Sequence, residues 1–154
     1  MKIAIGCDKL GFELKGKIIE DLSSKGYEFE DYGSYEGQCV DYPDIGLKVA
    51  KSIAEGKQER GILICGTGIG MAITANKVKG VFAAVCHDIY STRRSILSNN
   101  IQIMCMGALV IGFGTAVSLV EEWLKLEFQN SASAIKIEKI KVIESGYAEV
   151  RKCR

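Results

Sequence analysis

The sequence predicts an α/β fold in which a five-stranded parallel sheet is covered by helices on both faces. Two observations carry the prediction. Five short runs rich in isoleucine, valine and cysteine recur along the 154 residues, each followed by a turn and then by apolar residues at helical spacing. Those runs are continuously apolar rather than alternating, which marks strands buried on both faces, and such strands belong to parallel sheets flanked by helices. The length suits one domain, expected to cover residues 1–154, and the composition (47% apolar, 25% charged) is that of a globular chain.

The first strand is expected at residues 2–6. An amphipathic helix follows over about 12–25, with Leu14, Ile18, Ile19 and Leu22 on one face and Gly26 as its stop. A second strand is expected at 28–32, then a loop over 37–43 holding the single proline, Pro43, and a helix to about Ala54. The third strand, 61–65, leads into a helix over about 68–77. The fourth, 81–86, precedes a helix over about 90–97, and the fifth, 102–106, one over about 115–127. Residues 132–150 place Ile137, Ile140, Ile143 or Glu144, and Tyr147 at helical spacing, although "IKIEKIKVI" also admits a strand. A final helix of this kind docks on a partner subunit or on its own domain, and the pattern alone leaves both open.

Several function classes are excluded early. Twenty basic against nineteen acidic residues leave a net charge of +1, and no basic block supplies the footprint of a nucleic-acid binder. No apolar run approaches the roughly 18 residues of a membrane span, and the N-terminal run is too short for a signal peptide, so a cytoplasmic location without membrane contact is expected. Of the six cysteines, Cys7, Cys65, Cys86 and Cys105 lie in or at the end of strand-like runs, and no C-x-x-C pair occurs; reduced thiols are expected. One histidine and scattered cysteines leave no zinc pattern, so neither metal nor cofactor is expected.

Open parallel sheets bind ligands beyond the carboxyl ends of their strands. The residues there are Cys7-Asp8-Lys9, Tyr32-Gly33-Ser34, Cys65-Gly66-Thr67-Gly68, His87-Asp88 and Gly107-Ala108. The glycine loop after the third strand is not a dinucleotide fingerprint, because G-x-G-x-x-G read from Gly66 ends on Met71 and read from Gly68 ends on Ile73. Nor does G-K-[ST] follow, as a P-loop requires. What remains is a cysteine facing a helix N-terminus, a setting that makes the thiolate more available, beside glycines that let backbone N–H groups converge. Such a thiolate can take a proton from carbon while the N–H groups hold the resulting enediolate oxygen. On spacing alone a plainer reading stands beside it, in which Cys65 fills a strand end and the glycines only turn the chain.

Four stretches, "GCDKLGFELK" at 6–15, "DYPD" at 41–44, "GILICGTGIGMAITANKVKG" at 61–80 and "VCHDIYS" at 85–91, together resemble the type B ribose-5-phosphate isomerases and the related galactose-6-phosphate isomerase subunits LacA and LacB. The resemblance implies a three-layer αβα Rossmann-like fold with a five-stranded parallel sheet, a C-terminal helix extending toward a partner subunit, and a homodimer or dimer of dimers. It also implies interconversion of aldose and ketose phosphates without metal. Carried over by position, Cys65 moves the proton between C1 and C2, the backbone of Gly66, Gly68 and Gly70 with Thr67 stabilises the enediolate, and Asp8 and Tyr42 bind sugar hydroxyls. A subgroup with a glutamate base would carry it at Met71, which puts this chain in the cysteine subgroup.

The departures from the family pattern are specific. Lys9 stands where a histidine usually follows Asp8, and is a candidate cation for phosphate or enediolate. The family's His-Asn-Asp run, whose histidine helps open the sugar ring, reads Ser98-Asn99-Asn100, leaving Asn99 as its candidate substrate contact. The phosphate-binding arginines fall on Leu109, Ala132 and Lys136, and lysine lacks the bidentate fork of arginine. His87, Arg93 and Arg94 are weaker candidates for the missing acid and phosphate contacts. The expected function is isomerisation of a sugar phosphate, with ribose 5-phosphate as first substrate. Alternatives are a tetrose phosphate, a half-competent subunit completed by a paralogue, and a sensor that binds without turnover.

Overall fold

The computed structural model describes residues 2–129 and 132–146. Strand and helix alternate as β1 (Lys2–Cys7), α1 (Phe12–Ser24), β2 (Glu28–Asp31), α2 (Tyr42–Ala54), β3 (Gly61–Cys65), α3 (Ile69–Ala75), β4 (Ala83–Val85), α4 (Ile89–Leu97), β5 (Ile103–Gly107), α5 (Phe113–Leu124) and α6 (Ala134–Glu144). The five strands form one parallel sheet in the order β2-β1-β3-β5-β4. This is the three-layer α/β arrangement with five parallel strands that the apolar runs predict.

Side chains alternate across the sheet with the period of two that a pleated strand imposes. Ile62 and Ile64 join a core with Ile3, Ile5, Ile18 and Trp123 under α1, α4 and α5. Leu63 and Cys65 point the other way, into a core with Val49, Met71 and Ala75 under α2 and α3. The central strands β3 and β5 are buried at every residue, as continuous apolarity predicts. The edge strands are not: β2 and β4 are no more than half-buried.

Most boundaries shift by a residue or two from those expected, and four differences are informative. Pro43 belongs to the first turn of α2 rather than to the preceding loop, where its fixed φ and missing N–H are tolerated. β4 is confined to Ala83–Val85, shorter than the apolar run, because side chains take over at its start. Asn76 Oδ1 accepts the Ala83 N–H (3.0 Å) while its Nδ2 donates to the Ala83 carbonyl (2.8 Å), and Gln102 Oε1 accepts the Phe82 N–H (2.8 Å). α3 ends at Ala75. α6 is helical, which resolves the strand ambiguity, but it does not bury one face: Ile137 is 3% exposed, whereas Ile140 and Ile143 are 42% and 46% exposed. Tyr147, expected on the same face, lies outside the described residues.

Candidate active site

β1 and β3 are sheet neighbours, yet the chain leaves β1 toward one edge and β3 toward the other. The loops after them diverge and open a crevice at that switch point. Cys65, the last residue of β3, stands there, 5% exposed. The Gly68 N–H donates to Cys65 Sγ at 3.1 Å, a contact that strengthens when the sulfur carries negative charge. Glycine is required at 68 on two counts. Its φ is +79°, and a Cβ there would lie 3.0 Å from backbone atoms of Met106. The loop therefore folds tightly back on its own sheet.

The remaining loop residues are fixed by equally close approaches. Thr67 is exposed, and its Oγ1 accepts the Ile69 N–H at 3.3 Å. The Tyr42 ring lies directly on Gly70, where a Cβ would meet it at 2.5 Å. Tyr42 is 42% exposed. Beneath the loop, β5 ends on Gly107, whose Cα hydrogen position faces the Thr67 backbone; a Cβ would come within 2.6 Å of Thr67 Cα. The turn beyond it grips the loop, with the Ala108 N–H on the Cys65 carbonyl (2.8 Å) and the Leu109 N–H on the Gly66 carbonyl (3.1 Å).

Asp8 follows β1 and caps the short 3-10 turn Lys9–Gly11, its Oδ1 accepting the N–H groups of Leu10 (2.9 Å) and Gly11 (3.1 Å). One carboxylate oxygen thus serves the turn. Lys9 is exposed on that turn and lines a cavity of about 450 Å³ with Phe12, Ser34, Tyr35 and Cys39. Three of its lining residues, Phe12, Ser34 and Tyr35, are touched by a lysine that the sequence does not single out. Lys15, 2% exposed, donates to both Asp31 carboxylate oxygens (2.8 and 2.7 Å) and to the Ser34 carbonyl (2.8 Å). The available signal was a lysine next to Leu14 on the packed side of α1.

Asp8, Lys9, Tyr42, Cys65, Gly66, Thr67, Gly68 and Gly70 therefore gather at one end of the sheet. Asn99 and Lys136 do not join them within the chain. Ser98, Asn99 and Asn100 close α4 just before β5 begins, at the opposite end of the strands from Cys65. Asn100 takes the left-handed backbone (φ 50°) that asparagine tolerates. Lys136 is exposed on α6. That helix runs by the β4 edge: Ile140 lines a cavity of about 360 Å³ with Asn76, Arg94 and Asn99, and Glu144 accepts the Gly80 N–H (2.9 Å). Leu109 is 74% exposed and flanks Gly66 together with Leu10. Arg93 pairs with Glu122 (2.7 Å) and Arg94 bonds Ser98, so neither reaches toward Cys65.

His87, just past β4, enters the site by a route the sequence did not disclose. Its Nε2 accepts the Gly107 N–H at 2.8 Å. Burial holds its pKa below the ordinary imidazole value, with Asp88 opposing the shift. Met71 is fully buried in the α2–α3 core and supplies no acid or base. Among the described residues, no three His, Cys, Asp or Glu side chains stand together as a metal site. The five described cysteines are free thiols.

Fold and site together define a class: a parallel α/β protein with a cysteine at a strand end, cradled by glycine backbone at the switch point of its sheet. A family model described as Ribose/Galactose Isomerase matches residues 3–140. The ribose-5-P isomerase B of Listeria innocua is 52% identical over 144 residues, 94% of this chain and 97% of that one. The D-erythrulose-4-phosphate isomerase of Pectobacterium atrosepticum is 48% identical, over 91% of this chain and 93% of its own. The structure of Clostridium thermocellum ribose-5-phosphate isomerase B superposes with a TM-score of 0.92 at 46% identity, covering 96% of this chain and 100% of that one. The chain belongs to the ribose/galactose isomerase family, and with that family it is a sugar-phosphate isomerase.

Proposed function

We propose that Cys65 is the base that carries a proton between C1 and C2 of a phosphorylated sugar. The observation that carries this reading is the Gly68 N–H on Cys65 Sγ at the mouth of the β1/β3 crevice. The thiolate takes the proton from C2 of the aldose, and the electrons move toward the carbonyl oxygen to give an enediolate. Returning the proton to C1, while the O2 hydroxyl gives up its proton and O1 gains one, yields the ketose. The backbone of Gly66, Gly68 and Gly70, with the Thr67 hydroxyl, stands where the developing oxyanion needs donors. Asp8 and Tyr42 flank the space in which the sugar hydroxyls would lie, and Lys9 supplies a cation at its rim.

Ribose 5-phosphate is the first substrate under this reading, in keeping with the names of its relatives. A tetrose 4-phosphate is the second, and one position favours it. Ser98 replaces the ring-opening histidine, and a tetrose esterified at O4 has no hydroxyl placed to close a five-membered ring. Such a sugar needs no ring-opening acid, and relatives named D-erythrulose-4-phosphate isomerase stand at 48% and 46% identity.

Asn99 and Lys136 belong to the site under this reading only if another subunit supplies them, so the working unit is a homodimer or dimer of dimers, or a pair with a paralogue. The exposed isoleucines of α6 suit that contact, a cytoplasmic location suits the substrates, and no cofactor is needed. Among the described residues no helix is long and apolar enough to cross a membrane.

The test is deuterium uptake at C2 in heavy water across tetrose, pentose and hexose phosphates. Cys65→Ala should lower exchange on the order of 10³-fold. Exchange unchanged in that variant rejects Cys65 as the base, and no exchange from wild type with any sugar supports the half-competent subunit instead.

A further inference from the structure

We propose that His87 is a positioning residue for Cys65: its neutral imidazole, unprotonated at Nε2, holds the Gly107 N–H and through Gly107 the floor of the catalytic loop. The proposal rests on reading Cys65 as the base and adds to it a residue that need not touch substrate.

The geometry is a short chain of contacts. Nε2 lies 2.8 Å from the Gly107 nitrogen. Because that nitrogen is a donor, Nε2 is the acceptor and the proton of the neutral ring sits on Nδ1. Gly107 is the register partner of Cys65 in the β3–β5 ladder. Its Cα packs so closely on Thr67 that no side chain fits between them. The two residues after Gly107 bond the carbonyls of Cys65 and Gly66. A displacement of Gly107 is therefore transmitted to both sides of the catalytic sulfur.

The hold depends on charge. A protonated imidazole carries N–H on both nitrogens and cannot accept, so protonation turns the contact into two donors facing each other and leaves a buried amide unpaired. Among the described residues, Asp88 is the one charged group that acts on the imidazole, and it favours protonation. The other neighbours of His87 in sequence, Cys86 and Tyr90, are uncharged at neutral pH. The turn Gly107 to Ile111 that it holds carries no ionisable side chain, and the loop above carries only Cys65. Burial of the ring works against protonation. The hold is thus intact at neutral pH and released on acidification.

His87 is the single histidine of the chain, so its imidazole resonances are unambiguous. In wild-type protein, long-range ¹H–¹⁵N spectra should show the Nδ1–H tautomer at pH 7.5. The Gly107 amide should shift with the same midpoint as the imidazole as pH falls. His87→Phe, which fills the space without an acceptor, should lower kcat on the order of 10-fold or more with a smaller change in KM. It should also change the rate at which iodoacetamide alkylates Cys65, read by peptide mass mapping. His87→Gln places an amide oxygen near the position of Nε2 and should restore most of both.

An Nε2–H tautomer, or a Gly107 amide blind to the imidazole titration, overturns the proposal. So does a His87→Gln enzyme as impaired as His87→Phe with both variants folded by circular dichroism. The spectra and the alkylation need no substrate. If wild type exchanges no deuterium with any sugar phosphate, the isomerase reading fails while these measurements still decide the role of His87.

Discussion

Two glycines of the site meet their neighbours at nearly the same distance, yet substituting them should have opposite consequences. At Gly107 the atoms a Cβ would strike, at 2.6 and 2.7 Å, are the Thr67 Cα and the Gly66 carbonyl oxygen. Loop backbone pinned to the end of its sheet by the Ala108 and Leu109 N–H groups cannot easily yield, so Gly107→Ala should destabilise by about 3 kcal/mol in urea unfolding. At Gly70 the struck atoms belong to the Tyr42 ring, which is 42% exposed and can swing outward. Gly70→Ala should leave the urea midpoint nearly unmoved and raise KM, because the phenol leaves the glycine loop. Position Cys65 and its glycines were legible because residue order alone puts them at the end of an apolar run. The grip of Gly107 and His87 was not: it joins residues 20 apart in sequence, and no periodicity encodes which nitrogen of an imidazole meets which amide.

α6 departs most clearly from a simple amphipathic pattern. Its spacing predicted one apolar face, and the structure buries Ile137 alone while leaving Ile135, Ile140, Val142 and Ile143 at least 42% exposed. The spacing admits helix or strand and the structure forms a helix, but what a helix packs on depends on a surface that its own sequence does not contain. If that surface is another copy of this chain, a charge placed on the helix should separate the copies. Wild type should run as a dimer or dimer of dimers in light scattering, and Ile143→Asp should shift the mass toward the monomer without loss of helical signal. The same limit holds for Asn99 and Lys136, named from the resemblance: within the chain they stand away from Cys65, and residue order does not say whether a second subunit brings them to the site.

The sheet sets how the whole molecule responds to alkaline pH. Burial raises the thiol pKa of Cys7 and Cys86, and that of the fully enclosed Cys105 well above its ordinary value. Each such group is protonated in the folded state and ionises more readily in the unfolded chain. Its contribution to stability is therefore complete below about pH 8.5 and lost as pH rises toward the folded-state pKa. The melting temperature should fall between pH 8 and 10 on the order of several degrees, and Cys105→Ala should start lower but fall less steeply. Lysine pairs such as Lys25 with Asp21 and Glu121 also weaken in alkali, but they are exposed and salt-screened, so the slope should persist in high salt.

The position of β5 has a further consequence, for the order in which the chain can be assembled. β5 lies between β3 and β4, so β4 finds its sheet neighbour only in a strand that comes later in the sequence. A ribosome delivers Ala83–Val85 before the residues that complete their ladder exist, and until then the Asn76 clamp and the apolar face of α3 are what wait for them. The inserting strand is also the one that carries Gly107 beneath the cysteine. The nascent chain thus completes its β4 edge and the floor beneath Cys65 with the same strand.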